Sequence, residues 1–242
     1  MNVTVNGISI NYERAGRGAA LIFVHGWGGS HNSLKDLITL AARDFDAITL
    51  DLPGFGKSGN PPADWGVGEY ANIVYKFTKQ LGLNDVYYFG HSFGGSLGIY
   101  LAAHRPDFIK KLVLCASSYK RTARPKTASG LLHQLKHAPA LQPFKKLAYR
   151  ILYPQSDALR FPHLENNFRN IVTEDLTPLI AKIKQPTLIL WGEADSMTPL
   201  AWAHELHHAI ADSHLVTFPN IGHGLPLTHA EVVYKEVKKW LY

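Results

Sequence analysis

Val86-Tyr87-Tyr88-Phe89-Gly90-His91-Ser92-Phe93-Gly94-Gly95 is the stretch that decides the fold. Val86–Phe89 is an apolar run of strand type, and Gly95–Ala103, rich in small and apolar residues, reads as a helix packed on a sheet. Between them lies a G-x-S-x-G sequence, Gly90-His91-Ser92-Phe93-Gly94. A serine on so tight a strand-to-helix turn carries strained backbone, and its neighbours must be glycine to avoid collision. The competing reading is a glycine-rich strand–helix turn without chemistry. It loses weight because partner residues follow further along in the required order. Ser92 is the candidate nucleophile.

Working outward, apolar runs recur at Ala20–Val24, Ala47–Leu50, Lys111–Cys115 and Thr187–Trp191, with a shorter one at Leu215–Phe218. Such runs suit strands buried on both faces of a parallel sheet. Helical patterns separate most of them: Glu69–Leu81, Pro199–Ile210 and Thr228–Leu241, the last with Thr228 and Glu231 as a capping box. The chain opens with alternating runs, Asn2–Val5 and Ile8–Glu13, around Asn6-Gly7, a hairpin signal. Alternating strand and helix predicts the α/β class, a mostly parallel, doubly wound sheet in a single domain spanning 1–242. The rhythm breaks over about 118–184. This segment holds His133, His137 and His163, has no convincing buried strand, and looks helical at Leu131–Leu135 and Phe144–Leu152. It reads as a small helical cap inserted between core strands.

A serine hydroxyl needs a base to take its proton, and the base needs an orienting partner. On this fold class the order is Ser, acid, His. Asp195 follows the run Thr187–Trp191, and His223 follows Leu215–Phe218. Both therefore project from strand C-terminal ends, the edge where open α/β sheets place their sites. Glu193 competes with Asp195 but sits closer to the strand end. His229 competes with His223 but falls at the start of the last helix. His204 and His208 are four apart on a helix, a spacing that could bind metal, yet no third ligand is evident, so a solvated face is the preferred reading. A tetrahedral intermediate needs two backbone N–H donors. Phe93, after the nucleophile, should supply one. Trp27, in His25-Gly26-Trp27-Gly28-Gly29, should supply the other, its indole walling the acyl pocket. His91 is expected beside the substrate. His25 is read as loop architecture. Asp51-Leu52-Pro53-Gly54-Phe55-Gly56-Lys57-Ser58 does not match a phosphate loop and reads as a structural turn.

The chain has 242 residues, 46% hydrophobic and 18% charged, enough for one full core. Met1–Ile10 lacks a basic region and a long apolar run, so no signal peptide is expected. No stretch approaches the roughly 18 apolar residues of a membrane span. Cys115 is the only cysteine, which excludes an internal disulfide and reads as a buried strand thiol. A cytoplasmic location is the default. The net charge is +6. Between Ser118 and Ile180 stand ten basic residues against Asp157, Glu165, Glu174 and Asp175, so this segment carries the whole excess.

The chain resembles the α/β-hydrolase superfamily over nearly its full length. The residues that carry the likeness are His25-Gly26-Trp27-Gly28, Asp51–Ser58, Gly90–Gly95, Trp191-Gly192-Glu193-Ala194-Asp195 and Gly222-His223. The resemblance implies Ser92, Asp195 and His223 as a catalytic triad, with Trp27 and Phe93 as oxyanion donors. Haloalkane dehalogenases and epoxide hydrolases use an aspartate nucleophile where this chain has Ser92. The meta-cleavage C–C hydrolases typically carry tryptophan after the catalytic histidine; here it is Gly224. The pimeloyl-ACP methyl ester carboxylesterase group is similar around His25–Gly28, Asp51–Ser58 and His223–His229, although it has tryptophan at the position of His91. Carrier proteins are acidic, so a basic cap would steer one to the site. Nucleic-acid binding is a weak reading, because the charge sits on a lid. The expectation is a carboxylic ester hydrolase acting through an acyl-enzyme on a small-molecule ester, with no metal or organic cofactor. The alternatives are a small-molecule receptor on the same fold, or a member of the hydroxynitrile-lyase, C–C hydrolase or perhydrolase type.

Overall fold

Asn6 and Gly7 have φ of 51° and 79° and turn the chain back on itself at its start. Paired positive φ values match the twist of a two-residue hairpin. β1 (Asn2–Val5) and β2 (Ile8–Ala15) pair antiparallel there, as the Asn6-Gly7 signal predicts. The computed structural model describes residues 1–120 and 160–242. Among these, the other strands are β3 (Ala20–Val24), β4 (Asp46–Leu50), β5 (Val86–His91), β6 (Ile109–Cys115), β7 (Thr187–Gly192) and β8 (Ser213–Phe218). They form one sheet in the order β1-β2-β4-β3-β5-β6-β7-β8. β2 meets β4 antiparallel, and every pair from β4 onward is parallel.

The apolar runs are continuous because both faces are covered. α2 (Val67–Gln80) and α3 (Phe93–His104) pack Tyr70, Val74, Leu97 and Leu101 against Ile22, Val24, Leu112 and Trp191. α1 (Lys35–Ala41) and α8 (Ala230–Leu241) pack Leu37, Ile38, Val233 and Val237 against Phe23, Phe89, Val113 and Leu190. Successive strand residues point to opposite faces, so neighbours in one run serve different cores. Burial of each such side chain stabilises by about 1.5–3 kcal/mol. α4 (Glu165–Thr173), α5 (Thr177–Ile180), α6 (Leu200–Ala209) and α7 (Leu225–Thr228) complete the described α-helices, beside 3-10 turns at His31–Leu34 and Pro162–Leu164. No helix among the described residues is long and apolar enough to cross a membrane. Cys115 is buried at the end of β6.

Two features depart from expectation. Thr228 does not cap the last helix. It closes α7, its hydroxyl donating to the Gly224 carbonyl at 3.0 Å, and His229 stands at the start of α8. Pro226 early in α7 favours a separate turn. α1 was not expected, since seven residues are too few for a clear periodicity. Of the segment expected to form a cap, only 118–120 and 160–184 are described. Leu131–Leu135, Phe144–Leu152, His133 and His137 lie outside the described residues.

Candidate active site

The parallel strands bring three chain segments to one edge. β5 ends at His91, level with Cys115 of β6, and β7 ends at Gly192, level with Phe218 of β8. Ser92, Asp195 and His223 all lie just past those ends.

Ser92 has φ 53° and ψ −114°, a conformation unfavourable for any residue with a side chain. The surroundings over-determine it. Its N–H donates to the Cys115 carbonyl at 3.0 Å, and its carbonyl accepts from Gly95, Ser96 and Ser118 at 2.9, 3.2 and 3.2 Å. Gly90 and Gly94 are required by space: a Cβ on Gly90 would fall on the Gly94 carbonyl, and one on Gly94 on that of Val24.

Asp195 is buried and fully engaged. Its Oδ1 accepts from the backbone N–H groups of Met197 and Thr198, both at 2.8 Å. Its Oδ2 accepts from the Thr198 hydroxyl at 2.7 Å and from His223 Nδ1 at 2.8 Å. Burial alone would raise its pKa. The hydrogen bonds from His223 and Thr198 outweigh burial and hold the carboxyl below its usual range. His223 Nε2 stands 2.9 Å from Ser92 Oγ. With Nδ1–H donating to the carboxylate, Nε2 is left to accept the serine proton. Glu193, the rival acid, is exposed and accepts from Thr217 at 2.8 Å instead. His229, the rival base, is exposed, with its Nδ1 beside the Thr228 hydroxyl.

Gly26 lets the loop after β3 approach the serine: a Cβ there would come within 3.0 Å of Ser92 Cβ. Among the described residues, neither the Trp27 nor the Phe93 backbone N–H donates to a protein acceptor. The Trp27 indole packs against Phe55, Phe93 and Phe168, with centroids 4.9, 5.7 and 5.2 Å away, and its Nε1 is buried without a partner among the described residues. His25 is architecture, as read: its Nδ1 donates to the Gly26 carbonyl at 2.7 Å and its Nε2 accepts from Leu52 at 3.0 Å. Asp51 is buried and holds the turn, accepting from the His31, Lys57 and Asn11 nitrogens at 2.6, 2.8 and 2.8 Å. His204 and His208 are exposed on α6, and no third ligand joins them among the described residues.

The ring of His91, expected beside the substrate, is buried, and its Nε2 lies 2.9 Å from the His223 carbonyl. A carbonyl only accepts, so Nε2 carries the proton. Thr198 was missed altogether. Its place three residues after an acid, in a loop, was the available signal, because such hydroxyls commonly bond back to a neighbouring Asp.

Residues 19–162 match the family model described as alpha/beta hydrolase fold, and 171–242 match one described as TAP-like protein. The AB hydrolase superfamily protein YisY of Bacillus subtilis is 30% identical, covering 91% of each chain. The 2-hydroxy-6-oxo-6-phenylhexa-2,4-dienoate hydrolase of Burkholderia cepacia is 28% identical over 95% of this chain and 91% of its own. The crystal structure of the enol-lactonase from Burkholderia xenovorans LB400 superposes with a TM-score of 0.80 at 21% identity, covering 100% of this chain and 99% of that one.

Proposed function

The chain belongs to the alpha/beta hydrolase fold family, and on that premise we propose that it is a serine hydrolase of carboxylic esters. The observation that carries this reading is the continuous chain from Asp195 Oδ2 through His223 to Ser92 Oγ, at 2.8 and 2.9 Å. In the proposed reaction Ser92 Oγ bonds to the substrate carbonyl carbon while His223 Nε2 takes its proton. The oxyanion that forms is met by the N–H groups of Trp27 and Phe93. Collapse expels the alcohol, which leaves with the proton from His223. Water, deprotonated by the same nitrogen, then attacks the acyl-enzyme, and Ser92 recovers its proton as the acid departs. Asp195 stays ionised and stabilises the imidazolium. Every step uses this chain's own groups.

Hydrolysis of p-nitrophenyl acetate and butyrate tests the reading. Ser92→Ala should lower kcat by at least about 10³-fold, since the nucleophile itself is removed. Equal inactivity of wild type and Ser92→Ala across a broad ester and thioester panel sinks it.

A second reading, cleavage of a carbon–carbon bond, is favoured by the 28% identical dienoate hydrolase. Gly224 stands where the resemblance to that group leads one to expect tryptophan. Loss of the absorbance of a 2-hydroxy-6-oxo-dienoate, without ester turnover, would decide for it. At the finer level we propose a methyl ester on an acidic carrier, supported by the sequence likeness and by the charge of 118–180. Among the described residues of that segment, Lys120 is paired with Glu205 and Arg169 with Glu165. The lone cysteine Cys115, which rules out an internal disulfide, supports a reducing, cytoplasmic setting.

A further inference from the structure

His223 is the one member of the Ser92–Asp195–His223 chain whose backbone lies between two glycines. Gly222 and Gly224 both have ordinary negative φ, and neither is demanded by space. A Cβ on Gly222 would meet only the Ala194 carbonyl, at 3.6 Å, and one on Gly224 only Thr228 Cγ2, at 3.9 Å. Both distances are ordinary contacts. Side-chain packing therefore does not restrain the two glycines around His223; beyond it, the Gly224 carbonyl is held by the N–H groups of Leu227 and Thr228 at 2.9 and 3.1 Å and by the Thr228 hydroxyl at 3.0 Å. The preceding residues are held to β7 by Glu193 N–H on the Phe218 carbonyl at 2.9 Å and Ala194 N–H on that of Ile221 at 3.0 Å. Those bonds stop short of His223.

The next hold is His91. Its ring nitrogen donates to the His223 carbonyl at 2.9 Å, across 132 residues of sequence, and the two rings lie 5.1 Å apart at 42°. His91 is adjacent to Ser92 in the chain and is fixed by the last hydrogen-bonded register position of β5 against Cys115. The donor thus belongs to the nucleophile strand, and the acceptor to the short stretch of main chain between the bonds at Ile221 and Gly224. Burial, with the positive charge of a protonated His223 second, pushes the His91 pKa down to about 4, so the ring is neutral with a single proton, on Nε2. We propose that His91 is a positioning residue that fastens the His223 backbone to the nucleophile strand, so that the imidazole stays in register with Ser92 Oγ. This deepens the serine-hydrolase reading and rests on it.

The test uses His91→Leu, which keeps bulk and removes the donor, and His91→Gln, which returns an N–H at similar reach. If the fastening matters, His91→Leu lowers kcat by roughly 10- to 100-fold with KM within about twofold, because misplacement near 1 Å costs that much. His91→Gln recovers most of the loss. Adding Gly224→Ala to His91→Leu also recovers part of it, by stiffening the backbone from the other side. Independently of turnover, proton NMR should show the low-field His223 Nδ1 proton sharp in the wild type and in His91→Gln, and broadened by exchange in His91→Leu. The proposal is overturned if His91→Gln is as slow as His91→Leu, if KM rather than kcat responds, or if the Nδ1 resonance is the same in all three. Should Ser92-dependent turnover be absent from the wild type, the hydrolase reading has failed, and the NMR comparison still decides whether His91 holds His223.

Discussion

The Thr198 hydroxyl touches both Asp195 Oδ2, at 2.7 Å, and His223 Nδ1, at 3.2 Å. The backbone N–H of the same residue holds Oδ1 at 2.8 Å. One residue thereby fixes both oxygens of the carboxylate, and only the hydroxyl can be removed without disturbing the main chain. Thr198→Val should lower kcat about tenfold with little change in KM, the expected effect of loosening the group that orients the base. Thr198→Ser should retain most of the activity. Steady-state kinetics on a p-nitrophenyl ester measures both, and an equal loss in the two variants would show that shape rather than the hydroxyl matters. Ser92, Asp195 and His223 were legible in the sequence because each follows a recognisable strand run. Glu193 could be set aside only once its exposure was visible. The partners of His91 and Thr198 were not legible, since they are set by loop geometry and, for His91, lie 132 residues away.

The elbow between β5 and α3 is tied to β3 through contact between main chains, which side-chain repacking cannot relieve. Gly94→Ala would drive a methyl group into the Val24 carbonyl. We expect it to cost about 2–4 kcal/mol of stability, at the upper end of overpacking because the obstacle is backbone. Urea denaturation would check it, with Gly224→Ala as a control expected to stay within about 0.5 kcal/mol. At this scale the strands were the clearest part of the sequence: double-sided burial leaves runs such as Leu188–Trp191 without a polar break. Their ends were less clear. β2 runs on to Ala15 through exposed Glu13 and Arg14, because its pairing with β4 is a backbone matter that side-chain polarity does not report. The last helix divided at His229 for a similar reason. Thr228 satisfies itself on the Gly224 carbonyl of the preceding turn, and sequence pattern alone cannot distinguish that from a cap.

At the scale of the molecule, two of the buried imidazoles among the described residues, His25 and His91, should make stability depend on pH in a window of their own. Burial pushes His25 and His91 down to about 4, with Asp51 and His31 facing the first and His223 and Asp195 the second. In the unfolded chain each returns to about 6.5. Between those values the unfolded state binds a proton on each ring that the native state does not, so stability rises with pH through the window and levels off above it. Each ring contributes a slope of up to about 1.4 kcal/mol per pH unit. Asp51 and Asp195 act in the same direction at lower pH. Burial alone would raise both. It is outweighed at Asp51 by the His31 and Lys57 backbone N–H groups, the His31 ring and Asn11, and at Asp195 by His223 and Thr198. Their folded values are depressed, so the stability they add is complete above about 4 and is lost as pH falls through those values. The two windows are therefore separable. Urea unfolding between pH 7 and 4.5 should show a slope that falls by roughly half in His91→Gln and likewise in His25→Asn, since either substitution removes one of the two rings that burial holds down. A slope unchanged in both variants would mean that the acid sensitivity arises elsewhere.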